Sequence, residues 1–192
     1  QTEVLPLPTV LLSSHTGDFN NIYVRDLTDD LKGFCKQWEH LDFKVDGLVS
    51  GYFKSEEALK CVGQLARDKQ IALFVDPIMG DNGRLYQGFD RHYVEAMKDF
   101  CQQADVIIPN LTEAALLTDT PYLEAGSYNE ATVEKLLREL TKLGPRKVIL
   151  TGISFENDKI GLAYFDKETN ETAYLMRKSY QSHFYGSGDL LT

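Results

Sequence analysis

Little in this sequence could staple the chain, cross a bilayer or grip a polyanion. It has three cysteines, Cys35, Cys61 and Cys101, far apart and with no Cys-x-x-Cys pair. An odd, scattered set excludes a disulfide framework and reads as free thiols in a reducing compartment. His15, His40, His92 and His183 show no metal-ligand spacing with one another or with the cysteines. No apolar run approaches the roughly 20 residues a bilayer span requires, and no stretch resembles a signal peptide. Basic residues are also short: 20 Lys and Arg face 29 Asp and Glu, a net charge of −9. A nucleic-acid binder needs a basic face, so that class is excluded. A phosphate-bearing ligand is not, because backbone N–H groups and a metal can hold it without net positive charge. The P-loop pattern Gly-x-x-x-x-Gly-Lys-Ser/Thr is missing, which excludes that phosphate cradle. The expected setting is cytoplasmic, with no membrane segment.

What remains is the composition of an ordinary globular domain, 43% hydrophobic and 26% charged over 192 residues. Strand-like and helix-like stretches alternate. TVLLSS (9–14) reads as a short buried strand. Residues 26–41 place Leu27, Leu31, Phe34 and Trp38 at helical spacing, with Thr28 or Asp26 able to cap. Strands are expected at 45–53, 71–77, 104–110 and 146–152. Helices are expected at 55–70, 90–103, 110–118 and 129–144, the last closing on Gly144. Residues 159–178 look like two antiparallel strands joined by a polar turn at Lys167–Asn170. Repeated strand–helix–strand units predict one α/β domain with a mostly parallel sheet covered on both faces.

In such a sheet, ligands bind beyond the carboxyl ends of the strands. The residues at those ends are Ser13 to Gly17, Gly51-Tyr52, Asp76-Pro77 to Asp81, Asn110 to Glu113, Thr151-Gly152 and the closing Gly-Ser-Gly-Asp of 186–189. Nearly all are polar or glycine. Turn chemistry alone accounts for Asp81 in Asp-Asn-Gly, but less well for Asp76, a carboxylate ending an apolar strand. Asn110 with Glu113 is a capping-box variant, and at the sheet edge the same pair could orient water around Mg²⁺. Both readings stand. Tyr52 could pack on the next helix or offer a flat stacking face. YGSGDLL (185–191) reads as a glycine turn opening a helix, whose N–H groups would cradle negative charge beside Asp189.

These motifs, in this order, resemble the pyridoxal/pyridoxamine kinases of the ribokinase-like superfamily. The matching stretches are SSHTG at 13–17, VSGY at 49–52, VDPIMGDNGRLY at 75–86, ADVIIPNLTEA at 104–114 and YGSGD at 185–189. The resemblance implies a three-layer α/β sandwich and ATP-dependent phosphorylation of the 5′-hydroxymethyl group of pyridoxal, pyridoxamine or pyridoxine. It implies Asp189 as the catalytic base, with Gly186, Ser187 and Gly188 forming the anion hole. Asp76, Asp81, Asn110, Glu113 and Thr151 would surround the nucleotide phosphates, with Asp76 and Glu113 nearest Mg²⁺. Ser14, His15, Thr16, Tyr52 and Tyr185 would line the vitamer pocket. A homodimer and a response to a monovalent cation are implied as well.

Three departures accompany the match. Ser187 stands where the family usually has threonine. The family's first strand, which brings a substrate-contacting serine, has no counterpart here, and the helix expected after Asp189 is cut after Thr192. The expectation is a single kinase domain over 1–192 lacking those two segments. Two rivals remain. Hydroxymethylpyrimidine kinases share the Asp-Pro and Pro-Asn-x-x-Glu-Ala stretches but typically carry cysteine where Asp189 stands. A non-catalytic nucleotide- or vitamer-binding relative would keep the sheet and lose turnover.

Overall fold

The alternating hydrophobic periods become strands and helices in chain order. The computed structural model describes residues 3–14, 19, 21–41, 44–156 and 158–180. The chain begins with β1 (Val10–Leu12) and β2 (Val24–Asp26), which pair antiparallel as a sheet of their own. The apolar run expected to be a buried strand is therefore exposed. Leu11 keeps 56% and Leu12 37% of its surface in solvent, because this three-residue strand lies outside the main sheet and, among the described residues, no helix covers it. β2 gave no sequence signal, since Val-Arg-Asp is short and charged.

Helix α1 (Thr28–Glu39) starts where the Asp26 carboxylate accepts the Thr28 amide at 2.8 Å. Its buried side is Leu31 and Cys35, with Leu27 just before it. Phe34, expected on that face, is 39% exposed and meets Trp38 edge-on. After β3 (Gly47–Ser50), helix α2 (Glu56–Asp68) is capped by Ser55, which accepts the Ala58 amide at 3.1 Å. Next come β4 (Ala72–Val75) and the short hairpin β5 (Gly80–Asp81) and β6 (Arg84–Leu85). Helix α3 (Arg91–Cys101), capped by Asp90, leads to β7 (Val106–Ile107) and α4 (Leu111–Thr118). Helix α5 (Glu130–Lys142) is capped by Asn129. Beyond it Gly144 passes so close to Gln102 that a β-carbon there would lie 2.5 Å from its carbonyl oxygen. Strands β8 (Lys147–Ile153), β9 (Lys159–Asp166) and β10 (Glu171–Lys178) complete the described chain.

The central sheet has the order β10-β9-β8-β7-β4-β3; its last four members are parallel and β9 and β10 antiparallel. This is the expected mostly parallel sheet with antiparallel strands toward the C-terminal end. β3, β4, β7 and β8 follow one another in a single direction across it. Right-handed crossovers then put α2 to α5 on one face, with α1 beside α2. Leu59, Val75, Met97, Leu137, Val148 and Leu150 fill that core. Each such side chain contributes about 1.5–3 kcal/mol by leaving water. The register puts Val49, Phe74, Ile149, Leu162 and Leu175 on the other face. There Val49 is 56% and Leu175 47% exposed. The described residues thus build the sheet and one helical layer. No described helix is long and apolar enough to cross a membrane.

Candidate functional site

The parallel strands end in register, and backbone bonds carry the ladder one step beyond them. The Asp76 amide donates to the Ser50 carbonyl at 3.1 Å, Ile108 to Val75 at 2.8 Å and Thr151 to Pro109 at 2.9 Å. Asn110 and Thr151 form a further parallel bridge. Ser50, Asp76, Asn110 and Thr151 therefore lie in sequence along one rim, at the carboxyl ends of β3, β4, β7 and β8.

Above the rim stands the β5–β6 hairpin. Its turn residues Asn82 (φ 51°) and Gly83 (φ 74°) both take the left-handed conformation that tight hairpins demand. The first turn of α4 binds this hairpin through three side chains. Asn110 Nδ2 donates to the Gly80 carbonyl at 2.9 Å, Thr112 Oγ1 accepts the Gly83 amide at 2.9 Å, and Glu113 Oε1 accepts the Met79 amide at 3.2 Å. The same residues close the helix end. Asn110 Oδ1 accepts the Thr112 and Glu113 amides, and Glu113 Oε2 accepts the Asn110 amide at 2.9 Å, a complete capping box. Sequence spacing alone does not single out Thr112. Only its place inside NLTEA marks it, and spacing cannot show that a hydroxyl meets a loop 29 residues upstream.

Glu113 is 2% exposed. Burial pushes its carboxyl up to about 8; the Asn110, Met79 and Gly80 amides oppose the rise and the nearby Asp76 charge adds to it. Asp76 itself is half-buried at the rim, while Asp81 is exposed and turned toward its own loop, accepting the Asn82 amide at 2.8 Å. Thr151 is half-buried, and its hydroxyl lies 3.4 Å from the Pro109 carbonyl.

Tyr52 leaves the end of β3 half-buried. Its carbonyl accepts the Thr9 hydroxyl at 2.7 Å, tying the β1–β2 hairpin to the rim, and its ring meets Phe89 at 5.7 Å between centroids. Burial raises its phenol, with the Asp26 charge adding to the shift. Ser14 is half-buried where β1 ends. The structure thus gathers Asp76, Asn110, Glu113 and Thr151, with Asp81 on the attached hairpin and Tyr52 at the neighbouring strand end. His15, Thr16, Tyr185, Gly186, Ser187, Gly188 and Asp189 lie outside the described residues. Among the described residues no group of three His, Cys, Asp or Glu is arranged to hold a metal unaided. Mg²⁺ does not require one, since it takes one or two carboxylates together with substrate phosphates.

A sequence model described as phosphomethylpyrimidine kinase matches residues 28–192. The chain belongs to that family. Within it, a Bacteroides thetaiotaomicron protein, provisionally named a phosphomethylpyrimidine kinase and solved with pyridoxal, is 32% identical. It superposes with a TM-score of 0.89, covering 97% of this chain and 66% of that one. The crystal structure of pyridoxal kinase from Lactobacillus plantarum is 35% identical with a TM-score of 0.84, covering 96% of this chain and 65% of that one. A Saccharomyces cerevisiae protein provisionally named a pyridoxal kinase is 28% identical over 202 residues, 97% of this chain. This chain spans 62% of the length of that curated relative. These likenesses place the fold of the family member described here with the ribokinase-like kinases.

Proposed function

We propose that this family member transfers the γ-phosphoryl group of ATP to the 5′-hydroxymethyl group of a vitamin B6 vitamer. The observation that carries the reading is the rim. A carboxylate (Asp76), an amide (Asn110) and a hydroxyl (Thr151) end three adjacent strands, where open parallel sheets bind their ligands. The likeness to proteins named pyridoxal kinase supports the acceptor.

In this reading Asp76 and Asn110 face the nucleotide phosphates and Thr151 touches the nucleotide beside them. Mg²⁺ bound with those phosphates would neutralise their charge, and Asp76, the half-exposed carboxylate of the rim, suits it. Glu113 serves differently. Its two oxygens accept backbone N–H groups, so it acts by holding the 78–83 loop in place. Asp81 sits on that loop. Ser14, His15, Thr16, Tyr52 and Tyr185 line the vitamer side. The N–H groups of Gly186, Ser187 and Gly188 receive the transferring phosphoryl, and Asp189 takes the proton of the attacking hydroxyl. A cytoplasmic homodimer responsive to a monovalent cation belongs to the same reading.

A second acceptor is favoured by the family's own description, namely hydroxymethylpyrimidine or its phosphate. One assay separates the two. The protein is supplied with Mg·ATP and, in turn, pyridoxal, pyridoxamine, pyridoxine and hydroxymethylpyrimidine, and ADP release is followed. Faster turnover of the three vitamers supports the proposal. Turnover of the pyrimidine alone overturns the acceptor, and no ADP with any of the four returns the protein to the class of non-catalytic binders.

A further inference from the structure

Two of the three cysteines face each other across a helix pair. α1 and α2 run side by side in the same direction, as their contacts show. Thr28 Oγ1 lies 2.7 Å from Ser55 Oγ near the start of both, Lys32 Nζ lies 2.7 Å from Glu57 Oε2, and Lys69 Nζ reaches the Glu39 carbonyl at 3.0 Å near the ends. Cys35 is seven residues beyond Thr28, and Cys61 is six beyond Ser55. At about 1.5 Å per residue the two thiols stand within one residue's rise of the same level. Cys35 follows Lys32 by three residues and Cys61 follows Glu57 by four, so both cysteines lie on the helix faces that the Lys32–Glu57 ion pair brings together. Cys35 is buried and Cys61 half-buried, so Cys61 is the more exposed residue of the pair. The third, Cys101, is fully buried at the end of α3.

We propose that Cys35 and Cys61 form a reversible disulfide under peroxide, locking α1 to α2. The Cys61 thiolate attacks a peroxide oxygen, the O–O bond breaks, and Cys61 becomes the sulfenic acid with release of one water. The Cys35 sulfur then attacks the Cys61 sulfur, and the S–O bond breaks with release of a second water. Both thiol protons end in the waters; the two sulfurs are oxidised and the peroxide is reduced. Burial of Cys35 pushes its thiol up to about 12, which makes this second step slow at neutral pH and faster in alkali. The bond would fix α1, which begins beside the β1–β2 hairpin, and that hairpin is tied to the Tyr52 carbonyl.

The test treats the protein with hydrogen peroxide and measures its intact mass, its non-reducing peptide map and its melting temperature. The expected result is a species two hydrogen masses lighter, with the Cys35 and Cys61 peptides joined, a higher melting temperature, and reversal of all three changes by dithiothreitol. Cys61→Ser and, separately, Cys61→Ala should abolish the mass loss, whereas Cys101→Ala should not. Cys61 is the more exposed partner, so these variants test the bond without opening the core at Cys35. Sulfinic acid on Cys61 with no joined peptide, a disulfide between two chains, or a mass loss that survives both Cys61 variants would each overturn the proposal.

Discussion

Glu113 and Met79, 34 residues apart, are joined by a hydrogen bond of 3.2 Å from the Met79 amide to Glu113 Oε1. The other oxygen takes the Asn110 amide at 2.9 Å, so one carboxylate fastens the Asp76–Asp81 loop to the start of α4. An alanine at this position removes both oxygens and leaves the Met79 and Asn110 amides without their acceptor. Glu113→Ala should therefore cost about 1–3 kcal/mol of stability, the price of a buried donor left unmatched. Urea unfolding checks it. A loss below a few tenths of a kcal/mol would show that the loop does not depend on this carboxylate.

The same residue predicts a pH dependence. Its carboxyl is raised from 4.5 to about 8 in the folded chain. Between those values the native state holds a proton that the unfolded state has released. Stability from this group is complete below 4.5 and is lost as pH rises through 8. In Glu113→Gln this one group no longer titrates, while Asp76 and Asp81 remain in both proteins. The stability of the parent relative to the variant should fall steadily from pH 5 to pH 8 in Mg²⁺-free buffer and level off above. Parallel stability curves over that window would contradict the assignment.

Much of the fold was legible because the long elements repeat their period clearly. Helices α2, α3 and α5 fall where their apolar residues recur, with Ser55, Asp90 and Asn129 at the caps. The β9–β10 hairpin turns at the polar residues that suggested it, with Asn170 at a φ of 55°. Short elements were harder to read. β1 is as apolar as a core strand but pairs with β2 outside the central sheet, and a three-residue period does not reveal its partner. Phe34 fits the helical spacing, yet Cys35 takes the buried side. At the site, Asp76, Asn110 and Thr151 could be placed because strand ends are visible in sequence. The link from Thr112 to Gly83 could not, because it depends on how a loop folds back over a helix.

Asn110 and Asn129 cap two helices with the same chemistry, but only Asn110 stands on the rim. Each should lose about 1 kcal/mol on replacement by alanine. Asn110→Ala also frees the Gly80 carbonyl, so it should cost more than Asn129→Ala and weaken nucleotide binding severalfold. Paired melting and ATP-binding titrations decide. Equal ATP affinity in the two variants would remove Asn110 from the nucleotide side of the site.

Gly83 takes a φ of 74°, and a β-carbon there would approach the Tyr122 ring at 3.1 Å. Gly83→Ala should cost about 1–2 kcal/mol through the left-handed conformation alone, with the ring contact adding to it. The hairpin also carries Asp81, so the variant should raise the KM for ATP more than it lowers kcat. A melting curve unchanged from the parent would mean that the turn adopts another conformation.

Asp189 is the residue on which the proposed chemistry turns. Replacing its carboxylate with an amide keeps the size and most of the polarity but removes the proton acceptor. Asp189→Asn should lower kcat by about 10²–10⁴, the usual worth of a general base, while ATP binding is kept, because the rim residues proposed to hold the nucleotide are untouched. Phosphoryl transfer in single-turnover experiments, with nucleotide affinity measured separately, resolves the two effects. If more than half the rate survives with full ATP affinity, the proton goes elsewhere. If ATP affinity collapses with the rate, Asp189 belongs to the nucleotide cradle and the base must be sought on the vitamer side.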